Sequence, residues 1–586
     1  MNALRKIVQY LLHPFPVANL LLGQNFSRYD FLSERLSLEM TEKFFQENKR
    51  ARSIAAMFSA FFDDVEATRA LKKHLHGCYE LRMRCVATLT DKPEDYGIGY
   101  PAANATGHPL DQECFEDLKS SFPDVQFQRP RSSHSGYSRY AVSTILWALA
   151  LVHKSIWLYL RWGQNDIQTV NSTLISPPFW PSERWRAMEK SFTKFTPENE
   201  TTLVFAMERE PDAGFRRGNF PAVDIQTAPV PRREWWTNVV VPAAKLAIGV
   251  CRTLLSSGRT WKEIEVGRSC VHLAYHSLDV WRTGFNLRFK YCVDIYEYNP
   301  LHIIRGIVFR KFGGGVARLP HSQMDTPGSA LSYLAYDLFL SPGPYQTQSY
   351  SSTWRPGLRT VTTGQMLLDH RLASKVDIND PTVREISTCL DEGQSLAVFF
   401  GPSPGFGMFD VAGQFLGQLW PYLQERPEWT LVIKPKGSNA VFDFLENRPE
   451  FNELLDHPRV IKVSYASIGE EVCPSGWLIG RAEIGLSLPG SVQVEGLTQG
   501  RPFLSYYPIV RDTTLWNKLQ ASGLLADNMT NLQSMLDDFF TNPSAFEAPF
   551  DWFRENFDPY CDDQALERIA AALLTSPTKT PSTEVQ

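Results

Sequence analysis

The sequence reads as an α/β protein, with two Rossmann-like domains behind a mainly helical N-terminal extension. Three observations predict this. After Thr201, short apolar runs alternate with helical stretches. Glycine sits where such runs end, as at Gly343, Gly364, Gly401 and Gly490. Before about 195 the texture differs: apolar residues recur at three- and four-residue spacing between charges.

Composition narrows the class further. Hydrophobic residues make up 43% of the 586 and charged residues 21%, which excludes a disordered chain, a coiled coil and a collagen-like polymer. The net charge of −5 argues against a nucleic-acid coat, so no nucleic-acid partner is expected. Nine cysteines are scattered with no CxxC pair, so neither a zinc ribbon nor a thioredoxin-like site is indicated. They read as reduced thiols of a cytoplasmic protein. No metal and no cofactor is expected.

Residues 1–195 form the extension. Met1–Gly23 has Arg5 and Lys6 before a leucine-rich stretch, but His13-Pro14-Phe15-Pro16 interrupts it and no small-residue cleavage site follows, so it is not read as a signal peptide. Ser33–Asn48 and Ala51–His76 read as helices. Tyr140–Trp162 is the strongest membrane candidate, with His153-Lys154 breaking its apolar run. Three readings of it stay open: a buried core helix, a helix lying on a membrane surface, and a true span. The last is the weakest, since a central Lys costs about 2.5–3.5 kcal/mol.

Residues 196–385 read as the first Rossmann-like domain. Its strands are Thr202–Met207, Tyr291–Tyr296, Val316–Leu319, Asp337–Leu340 and Thr360–Thr362, with helices over Trp236–Ser256 and Leu301–Phe312. Residues 386–575 read as the second. Strands Ser395–Phe400, Trp429–Lys434, Arg459–Tyr465, Ile484–Leu488 and Pro502–Tyr506 alternate with helices near Val411–Gln424, Ala440–Leu455 and Ser491–Gln499. Ser576–Gln586 is rich in Ser, Thr and Pro and reads as a disordered tail.

Ligands of open parallel sheets bind beyond the strands' carboxyl ends. Three segments of the second domain fall there. Gly401–Gly407 is glycine-rich between strand and helix, so its N–H groups suit a phosphate, with Gly405 and Gly407 as the close-approach positions. It is neither a Walker A loop nor a clean GxGxxG, and a plain βα turn would look the same. Lys434 and Lys436 follow a strand and suit a diphosphate, as they would a solvated basic turn. Gly490-Ser491 opens a helix whose Glu495, one turn on, suits ribose hydroxyls.

Lys434–Gly437, then Ser491–Glu495 and Gly500-Arg501-Pro502, resemble the nucleotide-binding half of GT-B glycosyltransferases, in texture those of bacterial capsule and lipopolysaccharide synthesis. The resemblance covers about 290–575 and is sharpest over 395–510. It implies that the Ser…Glu helix and the Gly-Arg-Pro that follows hold the nucleotide of an activated sugar. In the first domain, Asp294–His302, Gly313–Ser322 and Tyr336–Gly343 resemble the succession of capsule-type transferases, although Ser322 stands where a glycine follows the functional histidine.

The resemblance implies transfer of a sugar from a nucleotide donor to a surface-polysaccharide or lipid-linked glycan acceptor. An inverting transfer needs a base, and Glu297, His321 and Asp325 are the candidates. Lysines and helix dipoles can stabilise the leaving group without a metal, and no DxD-like pair stands out. A peripheral contact with the inner membrane face is the accompanying expectation. Two rivals remain: a nucleotide-sugar epimerase on the same frame, and a non-catalytic scaffold of a polysaccharide-assembly complex.

Overall fold

A computed structural model describes residues 29–87, 109–121, 135–177, 188, 191–192, 194, 203–207, 221–255, 260–295, 300–319, 331–369, 376–402, 408–465, 472–508, 513–541 and 549–575. It opens with helices α1 (Tyr29–Glu47), α2 (Lys49–Phe62), α3 (Ala67–Ala87), α4 (Pro109–Ser121) and α5 (Ser135–Trp162). The single helix expected over Ala51–His76 is broken. Asp63 takes a left-handed conformation (φ 50°), and the Asp64 carboxylate accepts the Glu66 N–H at 2.8 Å. Short Asp side chains tolerate and support such a turn, which a periodicity argument does not register.

Among the described residues the first sheet has seven parallel strands: β1 (Leu174–Ser176), β2 (Leu203–Met207), β3 (Ala222–Asp224), β4 (Tyr291–Asp294), β5 (Gly315–Arg318), β6 (Leu338–Ser341) and β7 (Arg359–Thr362). Their spatial order is β7-β6-β5-β4-β1-β2-β3. The sheet thus starts at Leu174, ahead of the boundary expected near 196. Three buried residues are too few for a strand period to show. A long crossover joins β3 to β4. It comprises Arg232–Trp235, a π-turn over Trp236–Val240, α6 (Val241–Leu255) and α7 (Trp261–Asn286). Thr260 starts α7 with a capping box, its hydroxyl accepting from Glu263 N–H while the Glu263 carboxylate accepts from Thr260 N–H. Helix α8 (Leu301–Arg310) links β4 to β5.

Among the described residues the second sheet has six parallel strands: β8 (Ser395–Phe400), β9 (Trp429–Lys434), β10 (Val460–Lys462), β11 (Ile484–Ser487), β12 (Phe503–Tyr506) and β13 (Leu525–Ala526). Their order is β10-β9-β8-β11-β12-β13. Numbered from its own first strand, each sheet therefore contains the run 3-2-1-4-5-6, the Rossmann order. Both sheets are fully parallel, as expected for a GT-B frame. The helix expected over Ala440–Leu455 is in pieces, Ala440–Glu446, a 3-10 turn at Pro449–Phe451, and Asn452–Leu455, because Pro449 has no N–H to continue it.

The extension is not a separate body. Phe58, Leu71 and Leu151 share one continuous core with Ile175, Cys292 and Phe339 of the first sheet. The opposite face of that sheet is covered by a helix that follows the second domain. Helix α9 (Ala565–Thr575) packs Leu566, Ile569 and Leu573 against Leu174, Phe205, Val293 and Leu340. The chain thus returns from the second domain to the first. On the way, helix Phe550–Phe557 passes the loop after β6 so closely that a Cβ at Gly343 would stand 2.1 Å from the Asn556 carbonyl oxygen.

Backbone cannot yield as a flexible side chain can. Gly343→Ala should destabilise the protein by about 1–3 kcal/mol, the usual cost of overpacking. A thermal melt checks this, and an unchanged midpoint would show that the two segments are not in such contact.

Candidate functional site

In an open parallel sheet, the crevice lies where the strand order reverses, beyond the carboxyl ends. In the second sheet this is between β8 and β11. The register sets the last residues of three strands, and the next-to-last of a fourth, in one row: Lys434 opposite Phe400, Phe400 opposite Ser487, Ser487 opposite Ser505. Residues opposite one another in a sheet share a face. Lys434 is 3% exposed; its ammonium donates to the Tyr465 hydroxyl at 3.4 Å and lies 5.5 Å from that ring. The hydroxyl in turn donates to the Pro435 carbonyl at 3.3 Å. The Ser487 and Ser505 hydroxyls are 3.5 Å apart. Lys436, past the strand end, is exposed. Of the two lysines, only Lys434 stands in the row.

The helix Ser491–Thr498 starts just beyond β11. Gly490 before it is extended (φ −177°) and offers no side-chain cap to the first turn. Ser491 is half-buried, and Glu495 is buried one turn further on. The helix ends at Gly500, whose φ of +75° favours glycine. There the Arg501 N–H reaches the Gly496 carbonyl at 2.9 Å, turning the chain into β12. Sequence reasoning placed Lys434, Gly490, Ser491 and Glu495 at this edge, and their elements lie there. Gly405 and Gly407 lie outside the described residues.

The segments that follow β6 and β12 meet. Tyr345 follows the carboxyl end of β6; Leu515 follows the carboxyl end of β12, at the start of helix Thr514–Ala521. The Tyr345 hydroxyl accepts the Leu515 N–H at 3.1 Å, and its ring stands 4.8 Å from that of Phe557.

At the matching edge of the first sheet, Asp294 ends β4 and Arg318 ends β5, directly opposite. Both are fully buried. Arg305 of α8 donates to Asp294 at 2.6 Å. The Arg318 guanidinium donates to the Leu340 carbonyl at 3.2 Å and lies 4.7 Å from the Phe339 ring. Sequence reasoning missed both arginines as parts of the edge; Arg318 closing an apolar strand was the available signal. Glu297, His321 and Asp325 lie outside the described residues.

A second polar cluster sits between α3 and α7. His74 Nε2, Cys78 Sγ and Glu265 Oε1 lie within 4.8 Å of one another, a set able to hold a metal ion. In this structure Arg268 already donates to the same Glu265 oxygen at 2.6 Å. Burial works to lower the His74 pKa, but the charge of Cys78 and the contacts to Glu265 outweigh it and push it up to about 9. Burial likewise works to raise Glu265, and Arg268 with His74 holds it well below the usual carboxylate range. Two of the three residues share one helix, but Glu265 is remote in sequence, so spacing did not reveal the group. A groove of about 400 Å³, lined by Gly413, Gln414, Gly417, Arg448 and Phe451, runs along helix Phe409–Gln424 and contains none of the candidate residues.

No protein-family model matches the chain, and no curated protein matches it. Solved structures do. A putative UDP-N-acetylglucosamine 2-epimerase from Listeria monocytogenes matches at 14% identity and TM-score 0.41, over 69% of this chain and 96% of that one. The wall teichoic acid polymerase TagF, in a structure with CDPG, matches at 11% identity and TM-score 0.41, over 76% and 98%. UDP-GlcNAc 2-epimerase from Neisseria meningitidis, bound to UDP-GlcNAc, matches at 12% identity and TM-score 0.39, over 70% and 100%. Likenesses this distant do not carry an activity to this chain.

Two predictions follow from the buried charges. Arg305→Met breaks the pair with Asp294 and should cost about 3–5 kcal/mol in a denaturant titration, since it strands a buried carboxylate; a loss below 1 kcal/mol would contradict the pairing. His74 titrates near 9 when folded and near 6.5 when unfolded. Its contribution to stability is then full below pH 6.5 and lost as pH rises through 9. The thermal midpoint should fall over that window, and His74→Gln should flatten the fall. A profile unchanged by the substitution would rule out this source.

Proposed function

We propose that the protein is a glycosyltransferase, moving a sugar from a nucleotide-activated donor to a surface-polysaccharide or lipid-linked glycan acceptor in the cytoplasm. The observation that carries this reading is the carboxyl edge of the second sheet, where a glycine turn and a helix start stand at the switch point and a buried lysine stands one strand away.

In this reading the donor nucleotide rests on the second domain. The N–H groups at the start of helix Ser491–Thr498 and the Ser491 hydroxyl receive its phosphate oxygens, as helix N-termini do. Lys434, set on the neighbouring side of β8, adds positive charge across the switch point, and Lys436 reaches in from the exposed turn. Glu495 accepts hydrogen bonds from the ribose hydroxyls. Gly405 and Gly407 let the loop after β8 approach the phosphates. Charge developing on the leaving diphosphate is met by groups already in place, which is where such sites gain most of their rate.

The acceptor enters from the first domain. For an inverting transfer, Glu297, His321 or Asp325 takes the proton of the attacking hydroxyl. Glu297 belongs to the segment after Asp294, so it would extend from the anchored end of β4.

A thermal-shift screen with UDP, GDP, CDP, CMP and dTDP tests the reading. At a hundredfold excess over Kd, a ligand of the native state adds about 2.7 kcal/mol of stability. At least one nucleotide should raise the midpoint, and Lys434→Ala and Glu495→Ala should reduce the shift. No shift with any nucleotide would overturn the donor site. Product analysis with donor alone separates the rivals. An epimerised donor in the absence of acceptor would replace the transferase with the epimerase. Glycan production that survives both substitutions, with nucleotide binding intact, would favour the scaffold.

A further inference from the structure

The helix α5 and the helical segment Arg232–Leu255 pack side by side and run antiparallel. The residues after α5, Gly163-Gln164, pair with Val230-Pro231 just ahead of the second segment, and Tyr159 meets Trp236 at a ring distance of 5.3 Å. Each has one face in the core, α5 through Trp147, Leu151 and Leu158, the second through Trp235, Leu246 and Val250. Each leaves the other face open. Of the twelve large hydrophobic residues exposed among the described residues, seven lie on these two elements. On α5, Leu149, Trp157 and Leu160 share a face at helical spacing with His153. On the second, Trp236, Ile248 and Leu255 are exposed, with Lys245 and Arg252 at the intervening turns.

The charge on these segments is one-sided. Ser135–Trp162 and Arg232–Leu255 together contain seven Lys or Arg and one carboxylate, Glu234, in a chain whose net charge is −5. Lys154 is spent on Asp279 at 2.8 Å. Arg161, Arg232, Arg233, Lys245 and Arg252 are exposed. At one end of the face, the Arg161 guanidinium lies 5.2 Å from the Trp157 ring and 5.3 Å from that of Trp162. Indole rings beside cations suit the headgroup level of a bilayer. Both helices are long and apolar enough to cross a membrane, yet each has its other face built into the core of the first domain. Crossing would expose that core, whereas lying flat leaves it intact.

We infer that this two-helix face docks the protein, flat, on an anionic lipid surface. The proposal deepens the lipid-linked acceptor of the reading above and rests on that reading only for its purpose. Exposed Leu, Ile and Trp side chains enter the headgroup boundary, and the flanking Arg and Lys side chains meet lipid phosphates. Two different forces act, so each has its own signature: salt weakens the second and leaves the first.

Vesicle co-sedimentation of the full chain tests this without any nucleotide, so its failure is distinct from failure of the donor site. Vesicles of phosphatidylcholine with about one-third phosphatidylglycerol should retain the protein at least about tenfold better than phosphatidylcholine alone, and added salt should release much of it. Leu160→Glu with Ile248→Glu should abolish sedimentation, and Arg161→Glu with Arg252→Glu should remove the preference for anionic vesicles. All four positions are exposed, so an unchanged thermal midpoint verifies the fold of each variant. No sedimentation with anionic vesicles, or sedimentation unaffected by the substitutions, overturns the proposal. So does a stable dimer that Leu160→Glu with Ile248→Glu dissociates, since the face would then be a protein interface.

Discussion

The packing of α9 beneath the first sheet is the constraint on which the rest depends. A parallel sheet needs both faces covered. The first sheet receives the N-terminal helical layer on one face and Leu566, Ile569 and Leu573 on the other. That second cover comes from beyond the second domain, so the first sheet is finished only when the chain has returned to it. The return also fixes how the domains meet. Around the crossing, the Asp558 carboxylate accepts the Gln365 N–H at 3.0 Å, Arg568 donates to the Thr363 carbonyl at 3.2 Å, and Gly343 leaves room for Asn556. These contacts hold the loops after β6 and β7 against the segment that returns from the second domain.

The proposed chemistry uses both edges. A switch point on a lone sheet gives a nucleotide one wall. In the proposed transfer the acceptor comes from the first domain to a donor held on the second. The two walls differ in character. The second sheet ends in polar groups set around a helix start, Lys434, Ser487, Ser505 and Ser491. The first ends in buried charges held internally, Asp294 paired with Arg305, and Arg318 hydrogen-bonded to the Leu340 carbonyl. One edge offers groups to a ligand; the other is a rigid frame from which the following loops extend.

Much of this was legible in the sequence because parallel strands buried on both faces are short apolar runs, and glycine punctuates them. Ser395–Phe400 and Trp429–Lys434 are strands to the residue. Ser491 and Glu495 stood out because a helix must begin after Pro489-Gly490. Other features were not legible, each for a physical reason. β1 is three residues long, and its identity comes from pairing with β2 and β4. The break at Asp63 depends on two adjacent carboxylates. The pairing of Asp294 with Arg305, the meeting of His74 and Cys78 with Glu265, and the return of α9 to the first sheet join residues distant in sequence, and periodicity carries no information about them. The helix at 140–162 was ambiguous because it has two faces: one is core, the other open.

Hydrogen exchange with and without nucleotide tests the central claim most directly, since it reports where a ligand sits as well as whether it binds. The claim predicts slowed exchange at the amides after Gly490, in the first turn of helix Ser491–Thr498, and in the segment following Lys434, with a smaller effect at the loops of the first sheet's carboxyl edge. Protection confined to another part of the molecule, or none with any of the common nucleoside phosphates, would contradict it.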